Sequence, residues 1–388
     1  MINISDKRNC CGCGGCAQAC PVSCITMTAD DEGFQYPAVD HARCIGCGAC
    51  ERACPILKGG EKPKQIKVYA AYAHDADVRR TSSSGGVFGL LAERVLSDGG
   101  AVFGAAFDRD WSVHHQMAEQ MEDLPPLQGS KYVQSRIEDT YKQAEAVLQD
   151  GRSVLFTGTP CQIAGLKRSL KKEYERLYTV DIFCHGVPSP GVWERYLKEK
   201  TQTYKSACSR IDFRNKTPSW KRYAVSMDFE NGEQYSVCHE EDSYFKLFIS
   251  DICLRPSCYD CKFRESRSGA DLTLGDAWGV ELWMPHMSDD QGTSVVVVNS
   301  PKGADLWASV QHRLCGEEGN GREVFSCNPM YYKSVKPHMN RSKFFAEFAA
   351  GASIEDLVVL CRKPLWHRAL SFAKRCLKKV LNLCGIRI

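Results

Sequence analysis

Eight cysteines near the amino terminus occur in two runs of the same spacing. Each run reads Cys-x2-Cys-x2-Cys-x3-Cys-Pro; the first contains Cys10, Cys13, Cys16 and Cys20, and the second contains Cys44, Cys47, Cys50 and Cys54. This spacing is the ligand pattern of paired 4Fe-4S clusters. Two-residue gaps let a tight loop direct three thiolates at one cluster, and nearby glycines leave room for backbone amides to donate to its sulfurs. The runs therefore predict two 4Fe-4S clusters within the first 55 residues.

The fourth cysteine of each run precedes a proline, Pro21 or Pro55, that redirects the chain. We therefore expect this cysteine to bind the cluster of the other run. The first site then contains Cys10, Cys13, Cys16 and Cys54, and the second site contains Cys44, Cys47, Cys50 and Cys20. Zinc also uses Cys-x2-Cys pairs, but a zinc site needs neither three evenly spaced cysteines nor a following proline. Cys11 and Cys24 are surplus to this scheme, and we expect them to be packing residues.

The cysteine count and the length of the chain indicate a reducing compartment. The chain has 388 residues and 22 cysteines, so it is too long for a small secreted disulfide scaffold. Residues 1–8 are polar, and no apolar run reaches the roughly 18 residues of a membrane-spanning helix. We therefore expect a cytoplasmic protein whose clustered cysteines bind metal. The net charge of +3 gives no indication of a nucleic-acid partner.

A second set of cysteines lies far apart in the chain, next to turn residues. Cys161 and Cys184 follow predicted strands, and Cys258 and Cys261 form a Cys-x2-Cys pair. Together they supply the four thiolates that a third metal site requires, and Cys253 is the reserve ligand. Structural zinc and buried free cysteines are the alternatives.

Two glycine-containing turns could hold a cofactor. Ser83, Ser84, Gly85 and Gly86 lie between a predicted strand and a predicted helix, where hydroxyls and amides can bind a phosphate or pyrophosphate. Ordinary helix capping is the alternative. Asp276 follows an apolar strand in Gly275-Asp276-Ala277-Trp278-Gly279, and it could line the pocket of a planar cofactor or cap a turn above a core tryptophan.

The elements that must position these residues alternate between strand and helix after Pro63. We predict strands at 68–73, 101–107, 153–157, 177–183, 211–214, 223–229, 272–274 and 294–299, and helices at 86–96, 163–170, 192–200 and 305–313. The fold class is mixed α/β (α+β), because the alternation predicts a mixed sheet covered by helices.

The end of the chain is basic. From Arg362 onward there are eight Lys or Arg and no Asp or Glu. Apolar residues recur there at helical spacing: Leu365, Trp366, Ala369, Leu370, Ala373, Leu377, Val380, Leu381 and Cys384. A basic amphipathic helix is typical of a peripheral contact with the inner membrane face. A helix packed on the body is the interpretation that we prefer.

Six further motifs, in order, carry a family resemblance. They are Ser83-Ser84-Gly85-Gly86-Val87, Gly129-Ser130-Lys131-Tyr132-Val133, Gly158-Thr159-Pro160-Cys161-Gln162, Phe183-Cys184-His185-Gly186, Cys258-Tyr259-Asp260-Cys261-Lys262 and Ala270-Asp271-Leu272-Thr273-Leu274-Gly275-Asp276. From about Val68 to Asn299 the chain resembles the coenzyme F420 hydrogenase/dehydrogenase beta-subunit family, with a ferredoxin module in front, as in many members.

The resemblance implies an iron–sulfur flavoprotein. FAD would lie on the turn of Ser83 to Gly86 with Lys131 nearby, and a third 4Fe-4S cluster would bind Cys161, Cys184, Cys258 and Cys261. We expect four parts: a two-cluster ferredoxin-type domain (1–62), a flavin-binding amino-terminal part (66–186), a carboxyl-terminal part (187–345) and a helical basic tail (346–388).

The function that the resemblance implies is oxidoreduction. Electrons would pass between a redox partner (a ferredoxin-like carrier or the deazaflavin coenzyme), the clusters and FAD, and to or from a small organic substrate. Bacterial relatives often accompany enzymes of surface-polysaccharide synthesis. The catalytic residues are unknown; His185 could donate a proton, but a structural role is the simpler interpretation. The alternatives are an electron-relay subunit without substrate chemistry and, more remotely, a zinc-stabilised binding module.

Overall fold

The amino-terminal module pairs two short strands with three one-turn helices. The computed structural model describes residues 1–170 and 172–362. Strands β1 (Ile25–Ala29) and β2 (Gln35–Val39) are antiparallel, and helices α1 (Gly15–Gln18), α2 (Ala49–Arg52) and α3 (Pro55–Lys58) surround them. Gly14 and Gly48, which precede α1 and α2, have φ angles of 70° and 69°, a left-handed conformation that glycine adopts at no steric cost. The two cysteine runs therefore fold as near repeats, as their sequences predict.

The body contains eleven more strands among the described residues. They are β3 (Lys67–Ala73), β4 (Ala101–Phe107), β5 (Val113–Ala118), β6 (Val154–Thr157), β7 (Leu177–Ile182), β8 (Cys208–Asn215), β9 (Ala224–Phe229), β10 (Gln234–Cys238), β11 (Leu272–Asp276), β12 (Ser294–Val298) and β13 (Leu314–Glu318). Eight of them form one mixed sheet in the order β13-β3-β12-β11-β7-β6-β4-β5. The pairs β11–β7, β7–β6 and β6–β4 are parallel, and the outer pairs are antiparallel. The mixed α/β fold is thus confirmed.

Helices cover both faces of this sheet. The α-helices of the described body are α4 (Ala76–Thr81), α5 (Val87–Ser97), α6 (Thr140–Gln149), α7 (Pro160–Ser169), α8 (Pro190–Tyr204), α9 (Ser243–Ile249), α10 (Val280–Trp283), α11 (Pro301–Val310), α12 (Gly321–Cys327), α13 (Arg341–Ala349) and α14 (Ile354–Val358). Leu155 of β6 packs with α5 and α11, whereas its neighbour Phe156 packs with α6 and α7. This alternation arises because successive strand residues point to opposite faces of the sheet.

Strands β8, β9 and β10 form a separate antiparallel sheet. An aromatic core joins it to α8 and α9 through Trp193, Phe213, Tyr244 and Phe245. The large sheet takes strands from both of the body parts that we predicted. Most of the basic helix predicted between Leu365 and Cys384 lies outside the described residues. Within the described residues, no helix has the length and apolar character needed to cross a membrane.

Candidate metal centres and cofactor site

The first site is a cavity of about 330 Å³ lined by thiols from both cysteine runs. Its lining includes Cys10, Cys13, Cys16 and Cys54, which is the set that the proline-directed crossing predicts. Cys54 reaches the cavity because α3 begins at the following residue, Pro55. Cys11, which we expected to be a packing residue, is buried beside this set and also lines the cavity.

The second site is a similar cavity of about 330 Å³ nearer the surface. Cys44, Cys47 and Cys50 of the second run line it together with Cys20 of the first run. Cys47 is exposed, and Ile45 beside it is 64% exposed, so this site faces solvent more than the first site does. Cys24, also expected to be a packing residue, lies with its Sγ 3.4 Å from the Sγ of Cys20.

Burial makes these thiols poor acids without a bound cation. Burial raises the pKa of Cys16 to about 12, and the neighbouring thiols of Cys10 and Cys54 raise it further. A coordinating metal deprotonates a thiol outright. The cavities therefore suit a group that brings its own positive charge.

The size of the thiol-lined cavities fits a cluster better than a single ion. Zinc holds its sulfurs at about 2.3 Å, so four thiols around zinc lie close together. No three His, Cys, Asp or Glu side chains in the described ranges are arranged to hold a single metal ion. A 4Fe-4S cubane spaces its four thiolates around a larger core.

The structure brings together the four predicted thiols of the third set, Cys161, Cys184, Cys258 and Cys261. Burial raises the pKa of Cys184 well above its ordinary value, and Cys258, Cys161 and Cys261 are neighbouring thiols that raise it further. The reserve residue Cys253 lies elsewhere, fully buried in the aromatic core, where Cys361 is its neighbouring thiol. The geometry therefore favours Cys184 over Cys253 as the fourth member.

Parallel strands explain why residues distant in sequence meet here. Cys161 follows β6, Cys184 follows β7 and Asp276 ends β11, and these three strands are adjacent and parallel. Their carboxyl ends lie at one edge of the sheet, which is where open α/β sheets bind ligands. Phe183 packs against Gly275: a Cβ on that glycine would lie 2.6 Å from the phenyl ring. The third set and the predicted cofactor turn are thus neighbours.

The turn of Ser83 to Gly86 leads into α5. Gly86 is the N-cap residue, with φ of 89°, and no side chain caps the first turn of α5. The Ser83 Oγ accepts hydrogen bonds from the Ser130 N–H at 2.8 Å and the Ser130 hydroxyl at 2.9 Å. The Ser84 hydroxyl donates to the Thr293 carbonyl at 2.8 Å. The first of these contacts fixes the Gly-Ser-Lys-Tyr segment beside the turn, as the resemblance predicts.

Gly85 holds the turn against the sheet. Its N–H donates to the Ser294 Oγ at 2.9 Å. A Cβ at this position would lie 2.3 Å from the Ala71 carbonyl oxygen, so only glycine allows this close approach.

Three cations surround this turn. Lys131 donates to the carbonyls of Pro126 at 2.6 Å and Gln128 at 2.7 Å, and burial lowers the pKa of its amine to about 7. Lys216 donates to the Ser84 carbonyl at 3.1 Å, and burial lowers its pKa to about 8. The third is Arg214. Three cations at an uncapped helix start fit an anionic group such as a pyrophosphate.

Arg214 joins three of the predicted motifs. It is 4% exposed at the end of β8, and it forms a two-point ion pair with Asp276, at 3.0 and 3.3 Å. It also donates to the Ser83 carbonyl at 3.3 Å and lies 3.4 Å from the Tyr132 hydroxyl. The sequence analysis missed Arg214; the only signal was a charged residue at the end of a predicted strand.

The two remaining predicted features have structural partners. The His185 Nε2 lies 2.6 Å from the Asp251 Oδ1, beside the third set. Trp278, in the turn after β11, stacks on the buried Trp220 with ring centres 5.0 Å apart. The turn of Gly275 to Gly279 thus combines both interpretations, because Asp276 faces Arg214 while Trp278 packs.

Two family models match parts of this chain. Residues 151–320 match the model that describes the carboxyl-terminal part of the coenzyme F420 hydrogenase/dehydrogenase beta subunit, and residues 9–56 match a 4Fe-4S dicluster domain. A chain of the F420-reducing NiFe hydrogenase complex from Methanosarcina barkeri is similar at 18% identity and a TM-score of 0.47, over 74% of this chain and 89% of that chain. The comparison with curated proteins gave no match.

Proposed function

We propose that this chain, an iron–sulfur oxidoreductase whose residues 151–320 belong to the coenzyme F420 hydrogenase/dehydrogenase beta-subunit family, is a flavoprotein. Electrons would pass between 4Fe-4S clusters and FAD, and to or from a small organic substrate or carrier. The observation that carries this proposal is the convergence of Ser83, Tyr132 and Asp276 on Arg214, next to the third set of thiols.

The residues would hold the cofactors as follows. The first and second sites would each bind one 4Fe-4S cluster, and the third set, Cys161, Cys184, Cys258 and Cys261, would bind another. Lys131, Arg214, Lys216 and the first amides of α5 would bind the pyrophosphate of FAD. When bound, FAD takes up two electrons as hydride and releases them singly, which matches single-electron clusters to a two-electron substrate.

The protein's own residues set the conditions for this exchange. The ion pair between Arg214 and Asp276 holds the turn of Ser83 in place, because the guanidinium contacts both. The segment from Lys131 to Gln134 runs from the cofactor turn to the first site, where the Gln134 amide donates to the Cys11 carbonyl at 3.0 Å. The cofactor turn and the cluster sites are thus connected by a short, hydrogen-bonded stretch.

The exposed second site supports a partner at that end. We propose that a ferredoxin-like carrier or the deazaflavin coenzyme exchanges electrons with the chain, in the cytoplasm. A link to surface-polysaccharide synthesis is a proposal that rests on the sequence resemblance alone. Membrane contact through the basic tail is likewise a proposal.

A single-protein assay tests this function. Anaerobically purified protein, loaded with FAD, is supplied with a reduced viologen dye as the electron donor and a free flavin or quinone as the acceptor. Turnover without any partner protein supports an oxidoreductase with its own flavin chemistry. Reduction of the clusters without reduction of bound FAD would contradict the proposal and favour an electron-relay subunit.

A further inference from the structure

Arg255 is a fully buried arginine beside the first site. It is 0% exposed and directly precedes the turn that carries Cys258. Its Nε donates to the Cys10 carbonyl at 2.8 Å, and its Nη2 donates to the Gln35 carbonyl at 2.9 Å and the Cys10 Sγ at 3.5 Å. A Cβ at Gly12 would lie 2.7 Å from Nη1, so glycine at this position leaves room for the guanidinium.

The charge of Arg255 has no carboxylate partner. In the parts of the chain that the structure describes, its side-chain partners other than thiols are the Gln134 amide oxygen, 3.0 Å from Nη1, and aromatic rings, of which Tyr36 is centred 4.3 Å from Cζ. A buried charge without a counter-charge is strongly destabilising. The neighbouring groups able to become anionic include the thiols of Cys10, Cys11 and Cys258. The arrangement therefore calls for thiolates on both sides of the guanidinium.

The same junction brings the first site and the third set into contact. The Cys11 thiol forms hydrogen bonds with the thiols of Cys13 and Cys161, one from each set. On the other side, Arg255 extends from Cys10 to the segment of Cys258. No comparable cation contacts the thiols of the second site among the described residues. Charge compensation is thus concentrated where the two sets meet.

We propose that Arg255 is a positioning residue for electron transfer, whose permanent positive charge stabilises the reduced first site and makes this junction the route to the third set. The inference deepens the proposed function and rests on it. One electron leaves the first site and one arrives at the third set, no bond forms or breaks, and the guanidinium keeps its protons. A positive charge near a cluster favours the form with the additional electron, so it raises the reduction potential.

The test measures reduction potentials by paramagnetic resonance during anaerobic titration of the full chain. Arg255→Gln should shift the reduction equilibrium of the first site at least tenfold toward the oxidised form, which equals about 59 mV for one electron. Gln134→Glu should act in the same direction, because it places a carboxylate beside the guanidinium without changing the shape of the side chain. The second site should keep its potential in both variants.

Arg341→Gln is the matched control. Arg341 also contacts this region, at the Leu254 carbonyl, but Glu32 balances its charge. Unchanged potentials in folded, iron-replete Arg255→Gln or Gln134→Glu would overturn the inference. Loss of iron from both variants, with circular dichroism unchanged and iron retained in Arg341→Gln, would support it. Unfolding of both would overturn it in favour of a purely structural role. Absence of any cluster signal in the unmodified protein would instead contradict the proposed function.

Discussion

Replacing Cys20 should empty the second site and leave the first site intact. Cys20 belongs to the first run, but it lines the cavity formed by Cys44, Cys47 and Cys50. Cys24 lines the same cavity, with its Sγ 3.4 Å from that of Cys20, so its thiol can take the vacated position. The informative protein is therefore the double variant Cys20→Ala/Cys24→Ala.

The expected loss follows from the number of irons in one cluster. The two sites of the module hold about eight irons, and the double variant should lose about four of them. Cys24→Ala alone is the control and should retain both clusters. Cys54→Ala should lose the other four, because Cys54 lines the first cavity.

Iron and sulfide quantitation, with paramagnetic resonance of the reduced protein, distinguishes these outcomes. The double variant should keep the signal of the first site and lose that of the second. Loss of the first signal with retention of the second would show that each run binds its own cluster. The crossing would then be wrong.

Three further predictions concern the body. Cys184→Ala should remove about four irons, measured by metal analysis, whereas Cys253→Ala should remove none; the reverse result would move the third set to Cys253. Asp276→Asn leaves the buried Arg214 guanidinium without its counter-charge and should lower the free energy of unfolding by about 3 kcal/mol in a denaturant titration, while Asp6→Asn, at an exposed pair with Arg8, should have little effect. Because burial lowers the pKa of Lys131 to about 7, the amine loses its charge as the pH rises through that value, and FAD affinity in equilibrium titrations should fall over that range; a Lys131→Met variant should lose this pH dependence.

The sequence predicted the features that local spacing determines. The eight thiols of the module follow from two repeated runs, and the strand and helix bounds of the body agree to within a few residues in cases such as Ala101–Phe107. The third set was also within reach, because Cys161 and Cys184 follow predicted strands and parallel strands end at one edge. Strands β8 and β9 were expected, but their separation into a second sheet depends on tertiary packing.

The features that sequence reasoning missed are single residues with long-range contacts. Arg214 meets Ser83, Tyr132 and Asp276 from three other segments, and Arg255 meets Cys10 from the opposite end of the chain. Neither arginine belongs to a repeated pattern. Their roles follow from burial without solvent and from the partners that the fold brings to them, which one sequence does not encode locally.

The central claim is that one chain holds three clusters and a flavin, and the cofactor content of protein purified without oxygen tests it most directly. We predict about twelve irons, an equal amount of acid-labile sulfide and one FAD per chain after reconstitution, with little zinc. Iron and sulfide without any flavin would contradict the flavoprotein, and zinc without sulfide would contradict the account as a whole.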